Sequence, residues 1–264
     1  MGVIRGIMTG RYRGGRVFAV AAASGLASLV AVLAGCSSSS SKGTASTAVS
    51  SVTSPSSSAA GSPSASPAAQ SLAKIVLQPA DFPAGWTHMP YKNDPATNAA
   101  DKTGVAAFAK CVGKPNSDRD QVAEANSDDF DQGDAEISSD ASSYRSQRLV
   151  DSDIAALHSP KASLCFEQVL KATITAAAPE ATIESVTFKI TPGSAGGPAG
   201  VIANGAGTFK IGMGGNAAEG YFSNAFIFGP MIEANVTAIS TGAPVSTSLV
   251  ESLAAAVANR AAHH

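Results

Sequence analysis

The sequence predicts an α+β domain, a mostly antiparallel sheet with a C-terminal meander, covered by helices. Three observations carry this. From Val150 to Ala177 apolar side chains recur at helical spacing, after Pro179 they alternate at strand spacing, and the last stretch, TSLVESLAAAVANRA, returns to helical spacing. Residues 71–264, 194 in number, suit a single domain with its own core.

Leu72 to Leu77 form a short apolar segment, followed by a loop around Pro79 and Pro83 that presents Phe82 and the one tryptophan, Trp86. TGVAAFAKCVGKP reads as a short helix from Gly104 to Val112, stopped by Gly113 and Pro115 and carrying Cys111. A strand is expected near Ala135 to Ser142, then a helix whose Val150, Ile154 and Leu157 share one face. Ser159 and Pro160 suit the N-cap and first position of a second helix, Lys161 to about Ala177, expected to bury Leu164, Cys165 and Val169. Val186, Phe188 and Ile190 then alternate, as do Ile232, Ala234, Val236 and Ala238 against Glu233, Asn235 and Thr237. Between them GVIANGAGTFKI and EGYFSNAFIFG are joined by a glycine-rich turn at Gly212 to Gly215, which gives four successive strands. In the last helix Leu249, Leu253 and Val257 face inward, and Ser248 with Glu251 fits a capping box.

The first 70 residues have a different character. Met1 to Arg16 carry four arginines and no acid, and Val17 to Leu33 carry no charge, the layout of an export signal spanning residues 1–35. The apolar run is rich in Ala, Gly and Ser, which favours cleavage over a membrane-spanning anchor. Residues 36–70 follow as a tether: Ser37 to Gln70 hold 15 Ser, 3 Pro and one charge, Lys42, too little apolar surface to offset ordering entropy. As a coil it would reach roughly 30 to 35 Å. Removing the leader takes four of the 18 basic residues and none of the 20 acids, leaving a net charge of −6. That balance disfavours nucleic acid and direct adhesion to anionic lipid.

Of the three cysteines, Cys36 stands between the apolar run and the serines, which leaves Cys111 and Cys165 as an even pair. In an exported chain they form a disulfide or, alternatively, two buried free thiols. The disulfide would close a loop of about 55 residues and stabilise by about 4 kcal/mol.

Chemistry-bearing motifs are sparse, and no enzyme activity, catalytic residue, metal or cofactor is expected. His88 follows Trp86 in the Pro-rich loop. His158 precedes Ser159 at a helix end, where the dipole favours it, and no G-x-S-x-G occurs after the leader. Nine acids fall between Asp118 and Asp140, and DDFDQGDAE has a faint EF-hand character. From Asp129 as position one, Gly133 stands at five where the turn needs it at six, so a solvated acidic loop is expected. GMGGNA satisfies G-x-G-x-x-A but is followed by a strand, so a hairpin turn is expected. YFSNAFIF has large apolar residues on both faces and is either a central strand or the wall of an apolar pocket formed by Tyr221, Phe222, Phe226, Phe228 and Trp86.

Leu33, Ala34, Gly35 and Cys36 resemble the lipobox of bacterial lipoproteins. The resemblance implies a thioether-linked diacylglycerol on Cys36, the new N-terminus, and hence a domain on the outer face of the cell membrane. ADFPAGWT at Ala80 to Thr87, the Cys111 helix, SSYRSQRLVDSDIAAL followed by SPKASLC, and a final helix ending near Arg260 resemble actinobacterial cell-envelope lipoproteins. They are also similar to the extracellular sensor domain of mycobacterial Ser/Thr kinases. Related lipoproteins imply a PsbP/Mog1-like fold. The kinase sensors have two disulfides around a cleft, whereas this chain has cysteines for one. The expected function is a non-enzymatic, membrane-tethered binding or sensor-type domain for an envelope ligand or partner protein; the alternative is a carrier or chaperone of an apolar envelope lipid. Cys36→Ala should leave the precursor uncleaved or release the protein from membranes on fractionation, and a mature, membrane-bound variant would exclude the anchor.

Overall fold

β4 (Ala135–Tyr144) and β8 (Ile232–Thr241) alternate apolar and polar residues, and they pair antiparallel from Ala135 opposite Ser240 to Ser143 opposite Ile232. Around this pair the computed structural model, which describes residues 66–92, 95–114, 120–177, 181–193, 200–213 and 216–264, builds one eight-stranded antiparallel sheet. On one side of β8 lies the expected meander: β7 (Asn216–Gly229), β6 (Gly200–Met213) and β5 (Thr182–Pro192). On the far side of β4, β2 (Gln121–Asn126) and β3 (Asp129–Gln132) share a single edge, β2 along the C-terminal half and β3 along the N-terminal half. Ser127 bridges the break between them: its N–H donates to the Ser139 carbonyl, and its side-chain Oγ accepts from the Ser139 N–H. β1 (Thr87–Met89) adds a short outer strand on β3.

Helices cover both faces. The front face carries α2 (Pro95–Val112), α3 (Gln147–Leu157) and α4 (Ala162–Ala177) over Phe188, Phe209, Phe222, Phe226 and Phe228. The back face carries α1 (Pro67–Leu72) and α5 (Thr247–Ala262) over Ile137, Ala141, Ala225, Ile227, Ala234 and Val236. Small residues at the centre of the back face let α5 lie close to β7 and β8. Phe188 and Phe209 lie across the neighbouring strand at Gly205 and Gly220, where a Cβ would collide with their rings.

Several expectations need correction. α2 begins at Pro95, not Gly104. Leu164 is 55% exposed, because the buried stripe of α4 runs through Ala162, Cys165, Phe166, Val169, Leu170 and Ile174, and at about 100° per residue Leu164 falls on the opposite face of the helix. α5 is capped at Ser246 without a side-chain capping bond, and Ser248 bonds Ser246 Oγ instead of forming the box. Leu253 and Val257 are buried, while Leu249 is half-buried and Val250 takes its place inside. The acidic stretch is a hairpin: β3 turns into β4 at Gly133, with φ of 60°, and both Asp129 and Asp140 are buried. α1 begins at Pro67, inside the stretch expected as tether. The leader, Cys36, the tether up to residue 65 and the centre of the glycine-rich turn lie outside the described residues. Among the described residues no helix is long and apolar enough to cross a membrane.

Two devices finish the fold. The outward N–H groups of the edge strand β5 are taken by α4: Phe188 donates to Glu167 Oε1 and Ile190 to Ser163 Oγ, each at 3.0 Å. At the other end Arg260 of α5 donates to the carbonyls of Ile75 (2.9 Å) and Val76 (3.1 Å) and forks onto both Asp81 oxygens at 2.9 and 2.8 Å. Burial would push the Asp81 carboxyl up, but the Arg260 hydrogen bonds and charge, with the Gln78 N–H, hold it below its ordinary value. This contribution is present above the ordinary aspartate range and is lost as pH falls through the lowered value. Arg260→Lys keeps the charge but not the fork, so urea unfolding should show a loss of about 2 kcal/mol. A variant within a few tenths of wild type would show that the fork is ornamental.

Candidate functional site

Strand alternation places Ser138, Asp140, Ser142 and Tyr144 of β4 on the front face, and the register sets them opposite Thr237, Asn235 and Glu233 of β8. Continuing across the sheet, Thr237 faces Asn224, Asn235 faces Phe226 and Glu233 faces Phe228 on β7. In the other direction Asn126 lies opposite Asp140, and Glu124 opposite Ser142, both from β2. Two rows of side chains result: Asn126, Asp140, Asn235, Phe226, and beside it Glu124, Ser142, Glu233, Phe228. The front-face helices crowd the β5 side, where α4 packs on β5 and α2 on α4, and α3 is the helix that meets β4.

The polar members are buried deeply: Glu233 and Asn235 are 0% exposed, Asn224 2%, and Asp153, reaching down from α3, 3%. Asn235 donates through Nδ2 to Asp140 Oδ1 at 3.0 Å and to Thr237 Oγ1 at 3.3 Å. Asn224 donates through Nδ2 to the same Thr237 hydroxyl at 2.8 Å. The Oδ1 atoms of Asn224 and Asn235 are buried without a hydrogen-bond partner, which costs roughly 1–3 kcal/mol each if nothing fills them. Turning Asn235 over would aim its carbonyl at the Asp140 carboxylate, so its orientation is determined by chemistry.

The turn between β7 and β8 fixes α3 above this floor. Met231 takes the left-handed backbone region, φ 57°, unusual for a non-glycine residue. Its N–H donates to Gln147 Oε1 at 2.8 Å, and its carbonyl accepts from the Tyr144 N–H at 2.9 Å. The first residue of α3 is thereby tied to the start of β8, and Asp153 comes within hydrogen-bond reach of Glu233. Burial, with the adjoining Asp153 charge adding to it, pushes the Glu233 carboxyl up to about 8. At the β2 edge, Gln121 Nε2 donates to Glu124 Oε2 (3.1 Å) and to Ser142 Oγ (3.0 Å).

The residues singled out in the sequence lie elsewhere or apart. Cys111 and Cys165 form a disulfide joining α2 to α4, with Cα atoms 5.8 Å apart. Phe222, Phe226 and Phe228 pack in the front core, where the Phe166 ring lies tilted against those of Phe226 and Phe188. Tyr221 points to the back by alternation, and Trp86 packs against Phe82 on the periphery of the back core, so the five residues of the expected apolar pocket do not converge. His158 closes α3 in solvent. His88, on β1, meets Asp128 Oδ2 at 2.7 Å, remote from Glu233 across the sheet order. Among the described residues no three His, Cys, Asp or Glu side chains are grouped so as to hold a metal ion. The polar rows themselves are not marked in the sequence, where alternation describes a solvated face and a buried polar one equally well. The available signal was Asn224, set between phenylalanines on one face of YFSNAFIF.

No protein family's profile matches the chain, and no curated protein does. Among solved structures, the extracellular domain of PknH from Mycobacterium tuberculosis is similar at 9% sequence identity and a TM-score of 0.38, over 74% of this chain and 97% of that one. A likeness this loose carries no reading of the site.

Because the folded-state value of Glu233 is raised, its neutral form is favoured: the benefit is complete below about 4.5 and is lost as pH climbs toward about 8. The melting temperature should therefore fall by several degrees between pH 5 and pH 8, and Glu233→Gln should flatten that slope and raise the value at pH 8. An unchanged slope in the variant would remove Glu233 as its source.

Proposed function

We propose that the chain is an extracytoplasmic, lipid-anchored, non-enzymatic binding domain for an envelope ligand, tethered through Cys36 and using the front-face rows as its binding surface. The observation that carries the binding role is the pair of buried asparagine carbonyls, Asn224 Oδ1 and Asn235 Oδ1, set among carboxylates beside Phe226 and Phe228. Folding alone gains nothing from such atoms, and a hydrophobic pair of similar shape would serve the core better. A bound group that donates hydrogen bonds gives them a use. The compartment is supported by the Cys111–Cys165 disulfide, since such bonds persist in oxidising surroundings. The anchor is supported by Leu33 to Cys36 and the basic, then apolar, residues before them.

The reading is tested by native mass spectrometry of the full chain extracted from its own cell envelope in mild detergent. A non-covalent adduct is expected on the wild type and its loss in Asn235→Ala. A bare wild-type chain, an adduct indifferent to the substitution, or turnover of the adduct on incubation would each count against it.

A further inference from the structure

The centre of the rows is fully buried, with α3 lying over β4. On the premise that the rows are the binding surface, a ligand reaches them only when that helix moves. Compared with α4 and α5, α3 is lightly held. α4 buries Cys165, Phe166, Val169, Leu170 and Ile174, is joined to α2 by the disulfide, and bonds the edge of β5 through Glu167 and Ser163. α5 buries Val250, Leu253, Ala254, Val257, Ala258 and Ala261 and carries the Arg260 fork. α3 buries the apolar side chains Val150, Ala156 and Leu157, and beside them the carboxyl of Asp153. Little buried apolar surface means a low free energy of local opening.

The ends of α3 suit movement. Its N-cap, Ser146, makes no side-chain capping bond, and residues 145, 158, 160 and 161 on either side of the helix are exposed. The tie at its entry, from the Met231 N–H to Gln147 Oε1, joins two exposed residues, so water competes for both partners. What α3 covers is also cheap to uncover. Lifting a helix from an apolar core exposes hydrocarbon, whereas the strands under α3 present Ser142, Asn235 and Thr237. The carbonyls of Asn224 and Asn235, buried without partners, gain hydrogen bonds as soon as water arrives.

We propose that α3 is a lid over the front-face rows, hinged at residues 145–146 and 158–161 and latched by Gln147 on the Met231 N–H. Closed, as in the structure, it seals the rows from water. Open, it uncovers Ser142, Asn235 and their neighbours while the sheet, α4 and α5 keep their packing. A ligand enters during the opening, donates to the asparagine carbonyls, and is enclosed when the latch re-forms.

Fragment-resolved hydrogen exchange of the full chain tests the lid with no ligand present. Amides of residues 151–157, beyond the first turn of α3, should exchange about tenfold faster, or more, than those at the centres of α4 and α5. Gln147→Ala should speed residues 151–157 about fivefold further and leave α4 and α5 unchanged, whereas a glutamine that merely stabilises the fold would shift all three helices together. A buried thiol reports on the floor. With Cys36→Ala as background and Cys111 joined to Cys165, Ser142→Cys introduces a thiol where the serine is 0% exposed, and Ala225→Cys introduces one where the alanine is 1% exposed on the back face. The first should react with methyl methanethiosulfonate about tenfold faster, or more, than the second. Equal exchange in α3 and α4, equal labelling of the two thiols, or a Gln147→Ala effect spread over the whole chain would each overturn the lid. An Asn235-dependent adduct on a chain whose α3 exchanges no faster than α4 would sink the lid alone. A fast-opening α3 on a chain that never carries an adduct would support the lid and remove the binding role.

Discussion

The ladder between β4 and β8 is the constraint on which the rest of the structure depends. It joins a half-sheet built by the first part of the chain to the meander built by the last, across 95 residues of separation between Asp140 and Asn235. Its register is fixed from the back, where Ile137, Ala141, Ala234 and Val236 must all meet α1 and α5. A slip by one residue would turn Asp140, Asn235 and Glu233 into that apolar layer. The back face therefore pins the front, and the position of every polar row follows from packing that those residues take no part in.

The front face pays for this arrangement in stability. A carboxyl pushed to about 8 and two unpartnered carbonyls are costly in a domain whose net stability is about 5–15 kcal/mol. The cost is borne by the aromatic half of the same face, where Phe166 touches Phe108, Phe188 and Phe226 and the disulfide ties the two helices above them. The division is spatial: the β5 side holds the domain together and the β4 side is left polar. Departures from local consistency of this kind gather at functional surfaces.

Much of the scaffold was legible because its signals are local. Val186, Phe188 and Ile190 alternate wherever β5 is placed, and Ser159 with Pro160 punctuates α3 and α4 without reference to the sheet. The disulfide was legible from cysteine number and compartment. Leu164 was misplaced because Ala162 and Cys165, close to it on either side in sequence, both belong to the stripe, so only the helix phase distinguishes it. The polar rows were not legible for a deeper reason. Serine, asparagine and acid at every second position in AEISSDASSY and IEANVTAIST describe a solvated face equally well, and only the pairing of one such strand with another, under a helix, buries them.

The Arg260 fork has a consequence for the order of events in making the protein. Its partners at Ile75, Val76 and Asp81 are 179 to 185 residues upstream, so the N-terminal segment emerges long before the residue that fastens it. Until the last helix arrives, Leu72, Ile75 and Leu77 lack the neighbours that bury them on the back face. Contacts this distant in sequence slow folding, and those side chains remain apolar surface for as long as the chain is incomplete. A chaperone that shields the newly emerged segment would have its longest task at the front of the chain, although the structural lesion caused by losing α5 would lie at its end.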